Sequence, residues 1–206
     1  LGGVLFYMMA QSSEYMAELS KTPLKAIAAT AAMAALAFAV YVAFVRLVER
    51  RPVSELALKG LGRDLGIGLL IGAGLYTACV LILMVLGIYR IDGLNPLSFL
   101  IPAVAMAISS SVFEELLFRG FLQGRLQALL GERRGAGLLA AAVQGLVFGL
   151  AHAYQGPTGI LVPGSLGLVF GLVYLRTKSL WPLVIAHGLI DTLSLLALYA
   201  GRLPAQ

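Results

Sequence analysis

Six long apolar stretches, covering residues 24–45, 65–88, 102–122, 136–153, 158–175 and 180–200, alternate with short segments that collect the charges, prolines and glycines. A helix needs about 20 mostly apolar residues to cross a bilayer, and a spanning segment must satisfy its own backbone hydrogen bonds. The pattern therefore predicts an all-α, polytopic transmembrane helical bundle of about six spans, preceded by a short N-terminal apolar segment. That segment, residues 1–10, is too short to span. It reads as the remnant of an earlier helix or as an interfacial segment, since no basic stretch precedes it as in a secretory signal. Residues 49–63 mix charges with Pro52 and Gly60 and read as a connection, with or without an interfacial helix. Asp92-Gly93 and Asn95-Pro96 mark a tight turn at 90–96. No repeat of 20 to 50 residues is visible, so residues 1–206 are read as a single membrane-embedded domain.

Composition agrees with this solvent: 60% of residues are hydrophobic, 12% are charged, and the mean hydropathy is +0.92, outside the balance of a soluble domain. The net charge of +5 acquires meaning from its placement. Arg46, Arg50, Arg51, Lys59, Arg63, Arg119, Arg125, Arg133, Arg134, Arg176 and Lys178 fall on one side of an alternating six-span arrangement, and only Lys21, Lys25, Arg90 and Arg202 on the other. By the positive-inside rule the first side is cytoplasmic. The basic balance thus reports orientation, and no nucleic-acid partner is expected; membrane lipid is. Cys79 is the single cysteine, which leaves no internal disulfide and no cysteine-based metal site.

Against this background the polar residues inside the spans carry the chemistry, because an ionisable group at bilayer depth costs at least about 2.5 to 3.5 kcal/mol. Glu114-Glu115 is followed by Arg119. Residues four apart share a helix face, so Glu115 pairs with Arg119, while Glu114 points about 100° away. An unpaired carboxylate in a low-dielectric site suits a group that takes a proton from water and returns it. The alternative is that both glutamates pair with Arg119 and Arg125 at a helix end and mark the membrane boundary. His152 ends an Ala-, Gly- and Leu-rich stretch, four residues after Phe148. A neutral imidazole there can bind a water or a metal, or simply be packed. His187 and Asp191 lie four apart, so the carboxylate can orient the ring, both can hold an oxyanion or a metal, or the pair can satisfy itself. Both histidines and three of ten acidic residues fall in three apolar stretches, where chance placement would favour the loops.

These residues resemble the motifs of the CPBP intramembrane proteases (CAAX protease and bacteriocin-processing, also called the Abi or Rce1-like family), which include the type II CAAX prenyl endopeptidases. The match lies in Glu114-Glu115 with Arg119, Phe148 with His152, and His187 with Asp191, in that order. The approach to the last motif through Gly167, Gly171, Tyr174, Leu180, Trp181 and Pro182 is similar too. The resemblance makes residues 102–200 the catalytic core. It implies hydrolysis of a peptide bond in a membrane-associated peptide or protein, prenylated or not, in a cavity opening toward the cytoplasmic leaflet. Glu114 and His152 would activate a water, His187 and Asp191 would stabilise the oxyanion, and Glu115 with Arg119 would support them. Asp191 stands where the eukaryotic prenyl-protein enzymes typically carry Asn. The resemblance leaves two chemistries open: a metal-free glutamate site, toward which the sequence leans because the His-Glu-Xaa-Xaa-His motif is absent, or Zn2+ held by Glu114, His152 and His187. A small chain of this composition is expected in a prokaryotic plasma membrane.

Three rivals make different demands. A transporter needs a continuous polar path, yet residues 65–88 carry almost no ionisable group. A rhomboid-type serine protease would use Ser165 and leave the glutamates unexplained. A non-proteolytic immunity protein or scaffold would not need the full motif set. Depth offers a check: at 1.5 Å per residue, Glu115 lies about 15 Å from Arg125, and His187 and Asp191 about 10 and 16 Å from Leu180. His152 lies about 21 Å from a start near Leu138, which asks its helix to tilt or begin late.

Overall fold

The structure, a computed structural model, describes residues 21–87, 94, 98 and 100–198. The N-terminal apolar segment, both dipeptides of the 90–96 turn, Arg90 and Arg202 lie outside the described residues. Six helices carry the fold: α1 (Pro23–Leu47), α2 (Leu61–Val85), α3 (Leu100–Leu130), α4 (Ala136–Ala151), α5 (Pro157–Thr177) and α6 (Trp181–Leu198). Among the described residues every regular element is helical. Helices α1, α2, α3 and α5 are long and apolar enough to cross a membrane, whereas α4 and the apolar part of α6 are shorter. The protein is an all-α membrane helical bundle.

Local sequence explains the boundaries. Pro23 and Pro157 open α1 and α5 at positions where a missing N–H costs nothing. Gly156, at φ 85°, adopts the left-handed backbone that turns the chain into α5. Along α1 and α2 the apolar side chains point outward, Leu70 and Val85 being 76% and 86% exposed, as lipid-facing surfaces do.

Helix directions follow from the contacts. Thr30 donates to the Ala105 carbonyl and Tyr41 reaches Gly120, so α1 runs parallel to α3. Asp64 meets Ser179 and Tyr76 donates to the Leu193 carbonyl, so α2 runs parallel to α6. Ser110 meets Asp191 and Glu115 meets His187, so α3 and α6 are antiparallel. These directions are those of alternating spans. Close approach is secured by glycine: a Cβ on Gly149 would lie 2.5 Å from the Ile160 carbonyl of α5, and one on Gly68 would lie 2.7 Å from the Pro182 carbonyl of α6. Small residues give spanning helices the dispersion contacts that hold them together in lipid. The core gathers Tyr41, Val112, Phe170 and Leu183 from α1, α3, α5 and α6.

Three features differ from the sequence reading. Helix α3 runs on to Leu130, and between Leu116 and Gln123 it widens to a π-helix. Helix α4 does not begin late; it starts at Ala136 and stops after 16 residues, so His152 sits at its end, just before the chain reverses. The connection at 49–63 folds onto the bundle, with a single 3-10 turn at Ser54–Leu56 and Glu55 only 3% exposed.

Candidate active site

Helices α3 and α6 bring five ionisable motif residues to one place. Arg119 lies one turn beyond Glu115, and its Nη1 donates to Glu115 Oε1 at 2.8 Å with both side chains fully buried. The same carboxylate oxygen faces His187 Nδ1 at 2.7 Å. A carboxylate only accepts, so Nδ1 carries the proton and Nε2 is the nitrogen left to face outward. The Glu115–Arg119 pair expected from spacing is therefore present, and it does more than neutralise itself. It orients the imidazole, the part the sequence reading gave to Asp191.

Asp191 is held from elsewhere. Its Oδ2 accepts the Ser110 hydroxyl at 2.7 Å and stands 3.6 Å from His187 Nε2. Glu114 Oε2 stands 3.7 Å from the same nitrogen and has no hydrogen-bond partner. Three polar atoms thus converge at separations too long for direct hydrogen bonds and suited to a bridging polar atom. Arg125, which the boundary alternative pairs with the glutamates, pairs with Glu49 at 2.8 Å.

The second motif lies beside this cluster. Phe148 is nearly central: its ring centroid is 4.5 Å from the Arg119 guanidinium carbon, 4.8 Å from the His152 ring and 6.0 Å from the His187 ring. Arg119 also faces Phe170 at 5.3 Å. Stacking on two rings is how a planar guanidinium remains favourable when buried. His152 Nδ1 meets the Phe148 carbonyl at 2.8 Å. A carbonyl accepts, so Nδ1 donates, and in the neutral ring Nε2 is an acceptor. Among the described residues no hydrogen bond or ion pair joins His152 to Glu114.

A zinc site needs three protein donors gathered around one open position. Among the described residues no three His, Cys, Asp or Glu side chains are gathered so that they could hold a metal ion. Glu114, His152 and His187 do not fit the three-ligand site zinc requires.

Sequence reasoning missed Ser110, Gln123 and Gln144. Gln123 donates to the Gly171 carbonyl at 3.1 Å and Gln144 to the Gly167 carbonyl at 2.6 Å, both fully buried, tying α3 and α4 to α5 behind the motif residues. Their signal was present: each is a polar residue inside or beside an apolar stretch.

The fold and these contacts define a membrane helical bundle with a buried carboxylate–imidazole centre. Residues 96–193 match the family described as type II CAAX prenyl endopeptidase Rce1-like. That bears out the resemblance drawn from the motifs, and it supports a CAAX-type intramembrane protease at the family level. Among curated proteins and solved structures nothing matches the chain.

Proposed function

We propose that this protein is an intramembrane endopeptidase in which Glu114 activates a water and His187 receives the charge that develops on the scissile carbonyl oxygen. The observation that carries this reading is the convergence of Glu114 Oε2, unpartnered, with Asp191 Oδ2 on His187 Nε2 at 3.6 to 3.7 Å. Glu114 takes a proton from water as the water oxygen bonds to the carbonyl carbon. The carbonyl oxygen becomes the oxyanion and accepts a hydrogen bond from His187 Nε2 in its protonated form. Collapse breaks the C–N bond, and the proton on Glu114 passes to the leaving amine. His152 Nε2, an acceptor, helps hold the water. Asp191 accepts from Ser110 and acts through His187; Glu115 and Arg119 fix the ring.

The substrate is a membrane-associated peptide or protein, with a prenylated C-terminal peptide as the first candidate on the family description. The skew of basic residues supports a site reached from the cytoplasmic leaflet, and composition supports a prokaryotic plasma membrane. The test is hydrolysis of quenched fluorescent peptides, prenylated and plain, by the purified protein. Glu114→Gln is expected to lower kcat at least about a hundredfold, the contribution of a positioned base. Equal turnover by wild type and Glu114→Gln would sink the assignment.

A further inference from the structure

Glu55 lies outside the spanning helices, in the connection between α1 and α2, yet it is buried and touches the supports of both helices that carry the site. Its backbone carbonyl accepts the Leu180 amide at 3.0 Å, immediately before α6 begins. Its carboxylate accepts the Tyr41 hydroxyl in a close contact and two Arg51 nitrogens at 2.8 and 2.9 Å. The Tyr41 phenol lies over Gly120 of α3: a Cβ there would stand 2.7 Å from Tyr41 Oη. Gly120 directly follows Arg119. The network meets α3 again past the π-helix, since Glu49 pairs with Arg51 at 2.5 Å and with Arg125 at 2.8 Å.

The π-helix makes these contacts consequential. Segments of this kind are mostly single turns, whereas this one covers eight residues. Tertiary contacts must select it over the competing α register, which would turn every later side chain about the axis. Tyr41 at Gly120 and Glu49 at Arg125 grip its interior and its far end.

We propose that Glu55 is a positioning residue for the site: through Tyr41 on Gly120, and through Leu180, it sets the offset between α3 and α6, and with it the spacing of Glu114 from His187 and Asp191. The kinetic part of this inference rests on the peptidase reading above. The structural part does not, because Trp181, the chain's single tryptophan, follows Leu180 and lies 5.9 Å from the Phe38 ring. Its emission reports the seating of α6 without any substrate.

The experiment uses the full chain in lipid nanodiscs. Tyr41→Phe removes only the hydroxyl, Glu55→Ala removes the carboxylate that holds Tyr41 and Arg51 while keeping the backbone bond to Leu180, and Glu55→Gln keeps an acceptor for Tyr41. Tyr41→Phe and Glu55→Ala are expected to lower kcat about tenfold or more, the scale of cost for small misplacements of reacting groups. KM should stay unchanged and Trp181 emission should shift. Glu55→Gln should recover most of kcat, and Glu132→Gln, at an exposed position, should alter neither readout. Wild-type kcat and unshifted emission in Tyr41→Phe and Glu55→Ala would overturn the proposal, as would a rise in KM at constant kcat. If even the wild type cleaves nothing, the peptidase reading fails by itself. Trp181 emission then decides: a shift on Tyr41→Phe and Glu55→Ala upholds the joint, and no shift overturns it.

Discussion

The Ser110 hydroxyl donates to Asp191 Oδ2 at 2.7 Å, joining α3 to α6 across 81 positions of sequence. Because the same oxygen stands 3.6 Å from His187 Nε2, the serine fixes how the carboxylate faces the imidazole. Ser110→Ala is expected to lower kcat about tenfold, since a hydrogen bond to a charged group contributes about 1.5 to 3 kcal/mol. KM should hardly change. Steady-state kinetics on the fluorescent peptide check this, and an unaltered kcat would show that Asp191 needs no second support.

Arg119 is fully buried between Glu115 and the rings of Phe148 and Phe170. Its removal leaves the buried Glu115 carboxylate without its guanidinium partner, with only His187 Nδ1 still donating to it. Arg119→Ala is therefore expected to destabilise the protein by about 3 to 5 kcal/mol, the usual cost of breaking a buried pair from one side. Arg119→Lys should rescue little, because an ammonium has neither the planar stacking face nor the fork. Thermal unfolding in detergent, read from circular dichroism, separates the two expectations from a surface-like effect.

Six apolar stretches were legible as helices because length and hydrophobicity are local properties, and the Glu115–Arg119 pair was legible because its spacing is too. What the sequence could not show is which groups meet across helices. Asp191 has His187 one turn away on its own helix, yet its hydrogen bond goes to Ser110 on α3. The ring of His187 is aimed by Glu115, 72 residues earlier. The π-helix at Leu116–Gln123 has no composition signal, since it depends on what α1, α4 and α5 place against it. Glu55 read as a loop residue because charge in a connection is normally solvated; burial among Tyr41 and Arg51 reverses that.

Helix α4 owes its closeness to α5 to missing side chains. Gly149→Ala would put a Cβ 2.5 Å from the Ile160 carbonyl and 2.9 Å from Gly164 Cα, both backbone atoms that cannot step aside. The helices would separate near His152, at a cost of about 1 to 3 kcal/mol, as overpacking generally exacts. Gly74→Ala on α2 meets nothing within 4 Å and is expected to leave the melting temperature unchanged or slightly raised. Comparing the two by thermal unfolding tests the packing without any assay of activity. Equal melting temperatures would mean that α4 and α5 do not touch as described.

Stability should depend on acid through Glu55. Burial by itself pushes its carboxyl upward, but the hydrogen bonds from Arg51 and Tyr41 outweigh it and hold the group below its ordinary value. A group depressed in the folded state contributes stability above its unfolded value, about 4.3 for glutamate, and loses it as pH falls through the folded value. The melting temperature attributable to this group should thus be level from neutral pH down to about 5 and should decline below about 4. The charged and titratable groups around Glu55 are Arg51, Tyr41, Glu49 and Tyr174. Glu55→Gln removes the titrating group, so its melting temperature should start lower at pH 7 and fall less on acidification than that of the wild type. Parallel curves for the two proteins would assign the acid sensitivity to other carboxylates.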